Sequence, residues 1–125
     1  MAATSRADYS FDAAVPIFAV THLAEALEYY ERVLGFAVAW QWGNPPHLAN
    51  VCRDKVSINL AVAEGTPARS QIYVQMVGVD AYYERVVATG AAVKVPIGNR
   101  PYGMRDFSIV EPNGHELSFG EVNSA

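Results

Sequence analysis

The sequence predicts an α+β fold made of two tandem βαβββ modules whose mixed sheets cup a shared groove. Three observations carry this reading. Tyr29-Tyr30-Glu31-Arg32-Val33 recurs as Tyr82-Tyr83-Glu84-Arg85-Val86, which marks an internal repeat. Each copy follows an apolar, β-forming run, Val15 to Val20 and Ile72 to Val77, and precedes a glycine, Gly35 and Gly90. Beyond each glycine lie three more strand-like segments separated by turn signals.

The elements follow in order. After the strand at Val15 to Val20, a helix opens near Thr21 or His22 and stops before Gly35. Leu23, Leu27, Tyr30 and Leu34 recur with the spacing of one helical face. Gly35 suits the left-handed position that ends a helix. Strands then span Ala37 to Trp42, Leu48 to Arg53 and Val56 to Val62, with Asp54-Lys55 as a tight turn. Gly65 to Ser70, with Pro67, reads as a linker. In the second half a helix runs from Asp80, its expected N-cap, to Thr89. Strands follow at Ala91 to Val95, Arg105 to Val110 and Glu116 to Val122. Glu111-Pro112-Asn113-Gly114 forms a turn, Asn-Gly supplying positive φ angles. The chain, residues 1–125, is thus one domain: module 1 over about 13–63, a linker over about 64–70 and module 2 over about 71–122.

Alternation splits each strand into two faces. Ile58, Leu60 and Val62 oppose Ser57, Asn59 and Ala61. Leu117 and Phe119 oppose Glu116, Ser118 and Gly120. Ile72, Val74 and Met76 oppose Gln71, Tyr73 and Gln75. The apolar sets pack under the helices, and the polar sets face water or a cavity.

Composition narrows the function. A chain of 125 residues, 51% hydrophobic and 18% charged, is globular rather than disordered. No apolar run reaches the length of a membrane span, about 18 residues. Met1 to Asp12 lack the apolar core of a signal peptide and read as a loose arm, so a cytoplasmic location is expected. The lone Cys52 excludes an internal disulfide framework and reads as a packed thiol. A net charge of -4 with scattered basic residues argues against nucleic acid.

Two stretches carry a family likeness. Val15-Pro16-Ile17 leads into Ala26-Leu27-Glu28-Tyr29-Tyr30-Glu31-Arg32-Val33-Leu34-Gly35-Phe36. Pro101-Tyr102-Gly103-Met104-Arg105-Asp106-Phe107 leads into Glu111-Pro112-Asn113-Gly114-His115-Glu116-Leu117. With the repeat, they make the chain resemble the vicinal-oxygen-chelate superfamily of glyoxalases, extradiol dioxygenases and bleomycin-resistance proteins, the last branch most of all. The resemblance implies four metal-ligand positions, which fall on Val15, Asn59, Gln71 and Ser118. Only Gln71 among them offers a plausible, weak donor. His22, His47 and His115 read as surface or capping residues, and Glu116 as a solvated or hydrogen-bonded strand residue. No metal and no cofactor is expected.

The resemblance also implies a homodimer with ligand crevices at its interface and an N-terminal strand exchanged about a proline, here Pro16; a plain edge-strand proline is the other reading. Trp40 and Trp42 share one strand face, and Tyr73 lies on the polar face of another strand. They offer flat surfaces for planar or cationic groups, with Asn59, Gln71, Gln75 and Ser118 as hydrogen-bonding partners. The two tryptophans stand equally as core or dimer-interface residues. Tyr102 and Met104 read as the cleft rim. Arg105 reads either as a guanidinium reaching a ligand or as an ion pair with Asp106 or a neighbouring carboxylate. Three functions follow: a metal-free binder of a small natural product, a metal-dependent lyase, transferase or dioxygenase, or a dimeric scaffold without ligand.

Overall fold

The computed structural model describes residues 8–123. The arm expected over Met1 to Asp12 is therefore described only from Asp8, and Asp8 to Pro16 form no regular element. Module 1 comprises β1 (Ile17–Val20), α1 (Leu23–Arg32), β2 (Ala37–Gly43), β3 (Pro46–Arg53) and β4 (Val56–Val62). Module 2 comprises β5 (Gln71–Gln75), α2 (Val79–Ala88), β6 (Ala92–Asn99), β7 (Met104–Val110) and β8 (Glu116–Val122). Each module makes one four-stranded sheet, ordered β1-β4-β3-β2 and β5-β8-β7-β6. The first strand of each runs parallel to the last, and the other pairings are antiparallel. The α+β fold of two tandem modules is as the sequence predicts. Among the described residues no helix is long and apolar enough to cross a membrane.

The helices form because each carries an apolar stripe. Leu23, Ala26, Leu27 and Tyr30 are buried on α1 against Phe18, Val51, Ile58 and Leu60. Val79, Tyr82 and Val86 do the same on α2 against Phe107, Ile109, Leu117 and Phe119. The buried positions of the two helices match when their first residues are aligned. The repeated pentapeptide does not: it sits in the last turns of α1 and in the middle of α2. Tyr30 is thus fully buried while its sequence counterpart Tyr83 is only partly so. Burial of an entire large side chain contributes about 1.5–3 kcal/mol, so the stripe, not the repeated word, sets the helix orientation.

Three local expectations are corrected. Asp80 is not the N-cap of α2. Gly78 occupies that place at φ +87°, and its N–H and that of Val79 both donate to Glu121 Oε1 at 2.7 Å. A carboxylate from β8 satisfies two orphan donors at once and faces the positive end of the helix, so Asp80 is free to pair elsewhere. Asn113 does not adopt positive φ; Gly114 alone does, at +89°, while its N–H donates to Glu111 O. This is a three-residue loop ending in one left-handed residue rather than a paired Asn-Gly turn. His115 is neither a surface nor a capping residue. It is fully buried and stacks on Phe18 with ring centroids 4.5 Å apart.

His115 belongs to the contact between modules. Its Nδ1 accepts from Ser70 N–H at 3.0 Å, so the proton sits on Nε2, which donates to Ala19 O at 2.6 Å. Glu111, also buried, accepts from the N–H groups of Asn113 and His115 and from the Tyr30 hydroxyl. Tyr82 Oη donates to Leu34 O at 2.7 Å and Thr89 Oγ1 to Val33 O at 2.9 Å. The modules therefore meet through their helix-bearing faces, and one continuous core runs through both.

Candidate functional site

The opposite faces of the two sheets stay open. In module 1 the strand register lines Ile17, Asn59, Asn50 and Trp40 in one row across all four strands. Ala19, Ala61, Leu48 and Trp42 make the next row. A bulge between Val38 and Trp40 shifts the β2 register by one and brings Trp40 opposite Asn50. Trp40 and Trp42 thus share a face, as the spacing predicts. They are 43% and 64% exposed, and Ile17 is 62% exposed. Trp42 is steadied edge-on by His47, their centroids 5.2 Å apart. His47 lies in β3 rather than in a loop.

Beneath the tryptophans lies a small amide network that sequence reasoning misses. Asn50 is buried, and its Nδ2 donates to Asn59 Oδ1 at 2.8 Å and to Ser57 Oγ at 2.6 Å. Its only signal in the sequence is a polar residue inside an apolar strand, Ala49-Asn50-Val51. With its oxygen accepting from Asn50, Asn59 has its amide N–H groups as the donors it offers to this face. Cys52 lies between Ala37 and Ser57 in the same register and is partly exposed, so it is not a fully packed thiol.

In module 2, Tyr73, Ser118, Ser108 and Val95 form one row, and Gln75, Gly120, Asp106 and Gly98 the next. Ser108 and Ser118 hydroxyls meet at 2.6 Å. Asp106, named from the sequence only as a possible partner of Arg105, is the hub of this face. It accepts from Tyr73 Oη at 2.8 Å, Tyr102 Oη at 2.7 Å and Arg100 Nε at 2.7 Å. Burial pushes the Asp106 carboxyl upward, but the Arg100 ion pair and the two phenols outweigh it and hold it below 3.8. Tyr73 is raised by burial and by its bond to Asp106, and Tyr102 by its own bond to Asp106. Both phenols stay protonated donors.

The remaining expected residues divide. Gln75 lies on the open face beside Gly120. Gln71 pairs with Glu116, which is engaged by Lys94 Nζ at 2.7 Å, at one end of the sheet. Met104 pairs with Val122 at the other end. Arg105 is not on this face. Strand alternation puts it with buried Phe107 and Ile109, on the helix side, where Nη2 meets Asp80 Oδ1 at 2.7 Å and Nη1 donates to Asn99 Oδ1. Of its two readings the structure shows the ion pair, with Asp80 in place of Asp106.

The metal positions implied by the resemblance also shift. Val15 precedes β1, and the residue beside Asn59 is Ile17; the residue beside Ser118 is Tyr73 rather than Gln71. An aliphatic chain, a phenol, an amide and a hydroxyl do not make the imidazole and carboxylate set that a divalent transition metal needs. Among the described residues no three His, Cys, Asp or Glu side chains gather to hold an ion. The donor set does not fit a metal.

The family model described as "Glyoxalase superfamily protein" matches residues 2–125. No curated protein sequence matches the chain. Among solved structures, the bleomycin resistance determinant encoded on the transposon Tn5 aligns with TM-score 0.78 at 15% identity, covering 90% of this chain and 98% of its own. The bleomycin-binding protein from bleomycin-producing Streptomyces verticillus, complexed with copper(II)-bleomycin, aligns with TM-score 0.70 at 20% identity, covering 89% and 96%. A glyoxalase-related enzyme from Clostridium phytofermentans aligns with TM-score 0.77 at 18% identity, covering 94% and 99%. Such low identities establish a common fold. With a family model spanning nearly every residue, the chain belongs to the glyoxalase superfamily.

Proposed function

We propose that this protein binds and sequesters a planar or cationic small natural product, as a metal-free antibiotic-binding protein, on the aromatic face of module 1. One observation carries the reading. Trp40, Trp42 and Ile17 stand exposed on a sheet face whose floor is the Asn50–Asn59 amide pair, and among the described residues no three metal-binding side chains gather there. Exposed aromatic rings over fixed polar groups suit flat ligands that need orientation more than chemistry. The solved structure of a bleomycin-binding relative in complex with its drug supports the same use of the fold.

The proposed assembly is a homodimer. Within one chain the two open faces lie apart, because the modules meet through their helices. A second chain laying its module 2 face, with Tyr73 and Tyr102, opposite the tryptophans makes a walled groove. Phe11 and Ile17 are 95% and 62% exposed on the segment entering edge strand β1, and exchange of this segment about Pro16 covers them. Met104, Gln71, Gln75 and Ser118 then serve as rim and polar partners.

The test is a titration of intrinsic tryptophan fluorescence and thermal stability with metal-free bleomycin, copper(II)-bleomycin and planar aromatic antibiotics. Saturable quenching and a rise in Tm that follows RT ln(1 + [L]/Kd) are expected. No response to any compound favours the scaffold reading. One tightly bound transition metal per purified chain favours the metal-dependent enzyme.

A further inference from the structure

A cavity separate from the tryptophan face lies in the seam between the modules. It has a volume of about 650 Å³. Its floor is apolar: Phe36, Tyr82 and Phe119 are nearly or fully buried, and Val74 and Met76 pack against the same core. Its rim carries Arg53, Lys55 and Arg85. These three cations take part in none of the ion pairs among the described residues, which join Lys94 to Glu116, Arg100 to Asp106 and Arg105 to Asp80. Asp54, the acid on the rim, is exposed in the β3–β4 turn and pairs with none of them.

The placement of the two arginines is specific. Arg53 Nη1 donates to Gly35 O at 3.1 Å, and its guanidinium lies 5.7 Å from the centre of the Tyr82 ring. The Arg85 guanidinium crowds the same bare α-carbon of Gly35 as Arg53 does. Gly35 tolerates this because it has no side chain and sits at φ +76°. Two like charges are therefore held side by side at Gly35, one of them over an aromatic ring, with Lys55 on the same cavity rim. Coulomb repulsion disfavours that arrangement, and an anion between them relieves it. In a chain of net charge -4, the clustering runs against the overall balance.

We propose that this seam is a second binding site, which takes a small amphipathic carboxylate, its flat or acyl body on Phe36, Tyr82 and Phe119 and its carboxylate between Arg53, Arg85 and Lys55. Guanidinium groups match a carboxylate with paired N–H donors, and the aromatic floor takes the apolar part. The site uses residues from both modules, so its occupancy ties them together.

Isothermal titration with 2-naphthoate, at low and high salt, tests this. Binding to the wild-type chain that weakens with salt is expected, with uncharged 2-naphthamide at least about tenfold weaker. Arg53→Gln and Arg85→Gln should each weaken naphthoate about fivefold. Lys55→Gln lies in an exposed turn, leaves the fold intact and should weaken it in the same direction. Trp42→Ala should leave it unchanged, which separates this site from the aromatic face. Absence of naphthoate binding, equal binding of the amide, indifference to all three rim variants, or loss in Trp42→Ala would each overturn the proposal.

Discussion

The Tyr73 hydroxyl reaches Asp106 at 2.8 Å by passing over the α-carbon of Gly120. Tyr73 and Asp106 stand on β5 and β7, with β8 between them. A Cβ on Gly120 would occupy the place of the hydroxyl and press on the Asp106 side chain. Glycine is thus required at this position by space, not by φ. Gly120→Ala is expected to cost about 1–3 kcal/mol by urea denaturation, through overpacking and the displaced bond. Tyr73→Phe, which removes only the hydroxyl, is expected to cost about 1 kcal/mol. Equal stability of Gly120→Ala and wild type would show that the tyrosine swings aside freely.

Two carboxyls set opposite pH slopes. Glu111 is raised above 4.5 by burial, against the lowering effect of its backbone donors. Its contribution to stability is fully present below 4.5 and is lost as pH rises through its higher folded value. Asp106 is held below 3.8, so its contribution is present above 3.8 and is lost as pH falls through its lower folded value. Urea midpoints measured against pH should therefore pass through a maximum in the mildly acidic range. Glu111→Gln should flatten the limb above 4.5, and Asp106→Asn the limb below 3.8. A wild-type midpoint that climbs steadily from mild acid to neutrality would contradict the Glu111 assignment.

His115 joins the linker, β1 and the β7–β8 hairpin through two backbone bonds and a stack on Phe18. His115→Ala leaves Ser70 N–H and Ala19 O without partners and opens a cavity. The expected loss is about 3–5 kcal/mol, read from equilibrium denaturation. His115→Phe keeps the stack and should recover part of it. Near wild-type stability of the alanine variant would mean that water replaces the imidazole.

Glu121 caps α2 from outside the helix. Glu121→Ala should cost about 1–2 kcal/mol and raise amide exchange at Gly78 and Val79. Asp80→Ala should leave the denaturation midpoint almost unmoved, because the Arg105 pair is exposed. The reverse order would restore Asp80 as the cap.

Trp40→Ala and Trp42→Ala should each lower affinity for the groove ligand about tenfold or more with little change in stability, since both rings are substantially exposed. A large loss of stability in either variant would place that ring at a structural contact instead.

The element types, their order and the division of strands into faces were legible from the chain alone. β4 and β8 run where alternation places them, and α1 buries Leu23, Leu27 and Tyr30 as the spacing requires, with Leu34 buried just beyond its end. These are properties of neighbouring residues, set by a period of two or of 3.6, so local pattern is enough to read them. The repeat was legible too, although its most visible word is not the part that superposes: burial aligns Tyr82 with Ala26, one turn away from its sequence counterpart Tyr29. What the tertiary structure decided is which polar residues meet. Arg105 and Asp106 are adjacent and alternation puts them on opposite faces, but only the fold brings Asp106 to Tyr73 and Tyr102 and Arg105 to Asp80. Asn50 becomes a floor because Asn59 lies opposite it, and His115 is buried because the other module covers it. The α2 cap comes from Glu121, far along the chain. Each of these depends on contacts between distant segments, whose geometry no local period encodes.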